Sequence, residues 1–219
     1  CGGGAAVVAV LKQHGDKVAV AHAALAALWN ISMTETTRVP LVCDHGAGDA
    51  IVAALQRHAD NVEVARAASS ALRYLTVPNE ARKVLVSDAS VAIAALAALQ
   101  RHGIDLEVAT GVCWAICHVA AETTGREHLM RSSCGAGAAV VAVLKQHVGD
   151  ASVAPAAISA IINLSLDAAA CTQLVRDHGA AAAIEMAATR NPGNVQVSLA
   201  ACSALRNFLV PVDTRELLA

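Results

Sequence analysis

The sequence predicts an all-helical protein, an elongated array of small repeated units. Residues 1–14, CGGGAAVVAVLKQH, return almost unchanged at 134–147 as CGAGAAVVAVLKQH. This offset corresponds to three units of about 44 residues. Apolar residues make up 56% of the chain, with alanine the largest share, but there are only one Phe, one Tyr and two Trp. Because strands favour alternating β-branched and aromatic residues, and no segment has that pattern, the chain is predicted to be helical.

Each unit contains a long apolar helix that ends in a basic or amide pair, often followed by histidine. These segments are 5–14, 49–58, 91–102, 138–147 and 181–191. A polar break follows each one, and its Asp or Asn side chain is expected to accept hydrogen bonds from the free N–H groups that open the next helix. The expected caps are Asp16, Asp60, Asn61, Asp105, Asp150 and Asn194.

A second long helix comes next, with apolar residues at helical spacing. These segments are 18–32, 62–76, 106–120, 152–165 and 195–209. A short amphipathic helix follows at 34–42, 79–86, 124–130, 167–175 and 213–219, with Asn79, Asp167 and Asp213 as expected caps. Each unit therefore consists of one short helix followed by two long helices, which we call the first, second and third helices. The predicted units are 1–33 (partial), 34–77, 78–122, 123–166, 167–208 and 209–219 (partial), and we expect the chain to be a fragment of a longer polypeptide.

These segments resemble the armadillo repeat family over the whole chain. The family pattern is represented by NEARKVLV in the first helix, GAGDAIVAALQRH in the second and VEVARAASSALRYLT in the third. The resemblance implies a right-handed superhelix, an α-solenoid, in which third helices line a concave groove. It also implies a role in binding an extended peptide or a partner helix.

The resemblance further implies an Asn near the end of each third helix that hydrogen-bonds the backbone of an extended ligand. The equivalent positions, the ladder positions, are Asn30, Tyr74, His118, Asn163 and Asn207. Nuclear import adaptors of the family carry Trp four residues earlier, where this chain has Ala26, Ser70, Trp114, Ser159 and Ser203. The candidate groove residues are Trp29, Asn30, Arg73, Tyr74, Trp114, His118, Asn163, Arg206 and Asn207.

Each candidate also has a structural interpretation. Trp114 could fill a gap between helices in a core that is poor in aromatic residues, and Trp29 could likewise serve packing. The Asn amides could satisfy carbonyls of the adjacent unit instead of a ligand, or do both. The sequence leaves these alternatives open.

No pattern indicates catalysis, a metal or a cofactor. The sequence contains no G-x-S-x-G, P-loop, H-E-x-x-H or EF-hand motif. Cys113, Cys117 and His118 are close in sequence but lack a second ligand pair at zinc spacing, so helix packing explains them better. The histidines His14, His58, His102 and His147 occur once per unit, too far apart to share an ion, and fit favourable placement at a helix C-terminus. We therefore expect no enzyme activity.

The charge pattern and the apolar runs exclude two classes of partner, so the protein or peptide partner that the resemblance implies is the one expected. The net charge is −2 with acidic and basic residues well mixed, which argues against nucleic-acid binding. Apolar runs fall short of the about 18 residues that cross a bilayer, so no membrane span is expected. Seven cysteines, an odd number, favour a reducing compartment, the cytoplasm or nucleus.

The sequence thus predicts a non-catalytic protein–protein interaction module. The alternative is a regulatory or scaffolding arm of a larger enzyme, such as a kinase, GTPase or ubiquitin ligase. Because open ends of an array expose apolar helix faces, we also expect end-to-end self-association.

Overall fold

The computed structural model describes residues 2–87, 89–131, 135–211 and 218, and this part of the chain contains fourteen α-helices and no strand. The all-α prediction is confirmed. The helices are α1 Gly3–His14, α2 Val18–Ser32, α3 Glu35–Cys43, α4 Ala47–Arg57, α5 Val62–Leu75, α6 Asn79–Leu85, α7 Ser90–His102, α8 Leu106–Ala121, α9 Thr123–Met130, α10 Ala136–Gln146, α11 Val153–Leu164, α12 Ala168–Arg176, α13 Ala180–Arg190 and α14 Val195–Phe208. Their bounds agree with the predicted segments to within two residues, and the helix expected at 213–219 lies almost wholly outside the described residues.

Most of the expected caps are present. Asp105 Oδ1 accepts from the backbone N–H groups of Glu107 and Val108 at 3.1 Å each. Similar bonds are made by Asn61, Asp150, Asp167 and Asn194. These oxygens satisfy donors that the first turn of a helix leaves unpaired.

Three of the expected caps are wrong. Helix α2 is preceded by Lys17 and has no side-chain cap, so Asp16 does not fill that role. Asp60 pairs with Arg101 of the next unit instead. Asn79 lies inside α6, after Pro78, and accepts from the Arg82 side chain. The cap expected at Asp213 lies outside the described residues.

Glycine makes the turn into three of the second helices. Gly46, Gly135 and Gly179 precede α4, α10 and α13 with φ of 66°, 65° and 67°, a left-handed conformation. A side chain is strained there, whereas glycine is not. The chain can thus reverse sharply between a first and a second helix.

The second and third helices form two parallel rows, because each packs against its counterpart one unit along. One row is α1, α4, α7, α10 and α13, and the other is α2, α5, α8, α11 and α14. Within the second row α8 approaches α5 closely at Gly111, where an added Cβ would lie 2.8 Å from the Ser69 carbonyl carbon. Small residues at this contact within the row therefore allow α5 and α8 to pack closely.

Recurring hydrogen bonds join successive units at the ends of the second helices. His58, His102 and His147 each place Nε2 2.7–2.8 Å from a backbone carbonyl of the preceding unit, that of Gly15, Ala59 and Gly103 respectively. Asn191 makes the equivalent bond to Val148 at 2.6 Å. We call these four contacts the junction bonds. Since a carbonyl only accepts, the imidazoles donate through Nε2–H.

Within the described ranges no single helix is long and apolar enough to cross a membrane. Helices α6 and α7 pass that test only as a pair, by length and composition, and are bent by 83° at the break between them.

Candidate functional site

A cleft of about 320 Å³ opens on the face formed by the third helices. Its walls come from α2, α5, α8 and the segment that precedes α11. The lining residues are Trp29, Ser70, Arg73, Leu106, Glu107, Thr110, Gly111, Asp150 and Ser152. The cleft spans four successive units, so one extended ligand could contact all of them.

An aromatic–arginine cluster, which we define as Arg38, Arg73, Tyr74, Trp114 and His118, borders this cleft. The Arg73 guanidinium carbon lies 5.6 Å from the centre of the Tyr74 ring and 5.9 Å from that of Trp114. Arg38 approaches Tyr74 at 5.6 Å, and Trp114 stacks on His118 with ring centres 6.1 Å apart. These distances are within the range of cation–π and aromatic attraction.

Arg73 has no carboxylate partner among the residues that the structure describes. Arg82, by contrast, is paired with Glu122 at 3.0 Å, and Arg66 with Asp105 at 2.6 Å. The Arg73 guanidinium is held by two aromatic rings while its N–H donors have no internal acid to satisfy them. It is therefore suited to an acceptor from outside the chain.

His118 is neutral near pH 7. Burial, and then the nearby charges of Arg82 and Arg73, lower its pKa to about 4 from 6.5. Its Nδ1 lies 3.0 Å from the Thr76 hydroxyl of the preceding unit. The positive charge of the cluster therefore comes from the arginines.

The Asn side chains at the ladder positions serve the contacts between units where the structure gives them partners. Asn163 Nδ2 donates to the Cys117 carbonyl at 2.7 Å. Asn207 Nδ2 lies 3.4 Å from both the Ile162 carbonyl and the Ser165 hydroxyl. Asn30, in the first unit, is exposed, and its side chain has no hydrogen bond within the described residues. The structural use of the amides, left open by the sequence, is thus present at Asn163 and Asn207.

The nine candidate residues do not form one site. Arg73, Tyr74, Trp114 and His118 lie together, and Trp29, 37% exposed, shares the cleft with Arg73. Trp114 is half-buried and also packs against the core, so it serves both packing and the cluster. Asn30 lies beside Trp29 in sequence, whereas Asn163, Arg206 and Asn207 belong to α11 and α14, beyond the cleft.

Sequence reasoning missed the acidic lining residues and the arginines of the first helices. Arg38, Arg82 and Arg126 recur every 44 residues. Each donates to carbonyls at the end of the preceding third helix, for example Arg38 to Ser32 at 2.7 Å and Arg126 to Ala120 at 2.9 Å. That even spacing was the signal that could have revealed them.

The two cysteines of α8 are buried thiols. Burial raises the pKa of Cys113 to about 12 and that of Cys117 to about 11. Both are therefore neutral at pH 7 and poor nucleophiles or metal ligands. Among the described residues, no group of three or more His, Cys, Asp or Glu side chains could hold a metal ion.

No family model and no curated protein matches the chain. Two crystal structures from the Northeast Structural Genomics Consortium, each described as an engineered protein, resemble it. One has a TM-score of 0.53 at 20% identity and covers 94% of this chain and 98% of its own. The other has a TM-score of 0.52 at 19% identity and covers 93% and 95%. At this level of identity the likeness concerns the fold alone.

Proposed function

We propose that the chain is an armadillo-type α-solenoid that works as a non-catalytic interaction module. An extended protein segment binds in the cleft on the third helices, which form the concave face. The observation that carries the proposal is Arg73, which lies between Tyr74 and Trp114, pairs with no carboxylate among the described residues, and lies beside the exposed Trp29. The two rows of stacked helices and the recurring junction bonds support the scaffold, and two solved structures resemble it in fold.

The cluster favours a partner with a carboxylate next to an apolar side chain. A carboxylate can accept two parallel hydrogen bonds from one guanidinium, and such charge-assisted pairs are stronger than neutral ones. The neighbouring apolar side chain would pack on Trp29, since aromatic residues and arginine are the usual anchors of protein interfaces.

The acidic residues of the cleft determine the orientation in which such a segment binds. Glu107 lines the cleft from α8, and Asp150 lines it from the segment before α11. A basic residue a few positions from the carboxylate would meet them. The preferred ligand is therefore an extended segment with an acidic and a basic residue on either side of an apolar one.

Selection from a random peptide library displayed on phage tests the proposal. We expect selected peptides to be enriched in Asp or Glu beside an apolar residue. Their binding, measured by fluorescence anisotropy with the synthetic peptides, should fall by roughly thirtyfold with Arg73→Ala and less with Trp29→Ala.

Arg176→Ala is the matched control, because Arg176 is exposed on α12 and lies outside the cleft. Peptides that bind the Arg73 and Arg176 variants equally well would show that the cleft is not the binding site.

A further inference from the structure

Two guanidinium groups lie on the ring of Tyr74. The guanidinium carbons of Arg38 and Arg73 are each 5.6 Å from the centre of that ring. Arg73 belongs to α5, and Arg38 belongs to α3, the first helix of the same unit. Neither arginine forms an ion pair within the described ranges. Two positive charges that no described acid neutralises are therefore gathered around one aromatic side chain.

Arg38 keeps hydrogen-bond donors that its own unit does not use. Its Nε donates to the Ser32 carbonyl at 2.7 Å, and its Nη2 donates to the Met33 carbonyl at 3.1 Å. Its Nη1 donates to no residue in the part of the chain that the structure describes. Glu35, one turn earlier on α3, is exposed and forms no ion pair with it. Since a guanidinium has five N–H groups, several remain available to an acceptor from outside the chain.

The equivalent arginine of the next unit has an acidic partner. Arg82 Nε donates to Glu122 at 3.0 Å, and its Nη1 donates to two backbone carbonyls at the end of α5. Glu122 immediately precedes α9, whereas Pro78 immediately precedes α6 at the equivalent position of the earlier unit. The chain thus supplies a carboxylate to Arg82 and replaces it with proline beside Arg38.

We propose that Arg38 and Arg73 together bind a phosphate monoester, so that the extended segment in the cleft carries a phosphoserine or phosphothreonine. The inference rests on the proposed function and specifies the anion of its partner. A phosphorylated residue carries about −1.5 to −2 charge at pH 7 and three strong acceptor oxygens, enough to accept from two guanidinium groups at once. The planar fork of arginine matches phosphate as well as carboxylate.

The acids of the cleft favour one position for the phosphate. Glu107 and Asp150 line the cleft together with Arg73, whereas Arg38 and Tyr74 do not line it. Like charges repel, so the phosphate is expected over the Tyr74 ring, where the second guanidinium lies. The apolar residue of the segment then follows along the cleft toward Trp29.

Retention of synthetic peptide pools on the immobilised full chain, measured by mass spectrometry, tests the proposal. Three pools have random residues on both sides of one fixed central residue, which is phosphoserine, aspartate or serine. We expect the phosphoserine pool to be retained roughly tenfold more than the aspartate pool, and the serine pool least. Inorganic phosphate at the concentration of the pool should displace little of it, because the segment also contacts the cleft.

Two substitutions remove the second guanidinium in different ways. Arg38→Gln keeps a donor for the Ser32 carbonyl but no charge, and it should bring the phosphoserine pool down to the level of the aspartate pool. Pro78→Glu places a carboxylate where Glu122 stands beside Arg82, and it should have the same effect while leaving Arg38 in place. The backbone can accept this change, since Pro78 has φ −70° and ψ 139° and Glu122 has φ −85° and ψ 137°. Pro78→Gln is the matched uncharged control and should retain the preference for phosphoserine.

The outcomes separate this inference from the proposed function. Equal retention of the phosphoserine and aspartate pools, with both lost in Arg73→Ala, would overturn the phosphate assignment and leave the proposed function standing. Retention of no pool above the level of Arg73→Ala would overturn both. A phosphoserine preference that survives Pro78→Glu and Arg38→Gln, or displacement of the pool by an equal concentration of inorganic phosphate, would also overturn the assignment. Circular dichroism of each variant verifies that it is folded, and Pro78→Glu keeps the test decisive if Arg38→Gln does not fold.

Discussion

The first three third helices and the last two present different chemistry on one scaffold. Helices α2, α5 and α8 carry both Trp residues, the Tyr and Arg73, which has no acidic partner in the described part of the chain, together with the cleft. Helices α11 and α14 have Ser159 and Ser203 where α8 has Trp114, and their ladder residues are amides bonded to the preceding unit. The helices pack in the same way in both parts. The backbone repeat thus supplies a common scaffold, and a few side chains give its two parts different surface chemistry.

The largest expected effect comes from the tight contact between α5 and α8, beneath the cluster. Gly111→Ala adds a Cβ within 2.8–2.9 Å of the Ser69 backbone and Cβ. The repacking should outweigh the gain in helix propensity and lower the free energy of unfolding by about 2 kcal/mol. Urea denaturation followed by circular dichroism measures it.

Gly149→Ala is the control for that substitution, since nothing lies within 4 Å of the added atom. Equal stability of the two variants would mean that α8 can move away from α5 without cost. The close contact between these two helices would then make no special contribution to stability.

Because His118 lies on α8, it should make the free energy of unfolding depend on pH through the first three third helices and not through α11 and α14. Its pKa in the folded chain is about 4, below the ordinary 6.5, because burial and the nearby Arg82 and Arg73 disfavour the imidazolium. The stabilisation is therefore complete above pH 6.5 and is lost as the pH falls toward 4. We expect a loss of about 1–2 kcal/mol between pH 7 and 4.5.

The comparison variant is His118→Asn, which places in α8 the residue that α11 and α14 carry. Urea denaturation at the two pH values should show a smaller difference for the variant than for the unmodified chain. An unchanged difference would assign the pH dependence to other groups.

The sequence predicted the helices well because each one repeats four or five times, so an error in one copy is corrected by the others. It failed where single copies differ, as at Asp16, since α2 is preceded by Lys17 and has no side-chain cap. It also could not show contacts between units: the recurring histidines were assigned to helix ends, whereas they bond the carbonyls of the preceding unit.

The candidate site was predicted only in part, again because the sequence does not show contacts between units. Arg73, Tyr74 and Trp114 were selected from register, but their mutual stacking depends on how α5 lies against α8. Register alone also could not tell which ladder residues point their donors at a neighbouring unit. Helix packing decides both the stacking of these side chains and the direction of the ladder donors, and the repeat pattern does not reveal that packing.

The smallest expected effect separates the two uses of the ladder amides. Asn163→Ala removes the 2.7 Å bond to the Cys117 carbonyl and leaves that acceptor without this partner, which should cost about 1 kcal/mol of stability. Asn30→Ala removes no described hydrogen bond and should leave stability unchanged in the same urea titration. If the ladder served only to bind a ligand, both variants would be as stable as the unmodified chain. A loss confined to Asn163→Ala would instead mean that the C-terminal amides hold successive units together, leaving recognition to the aromatic–arginine cluster.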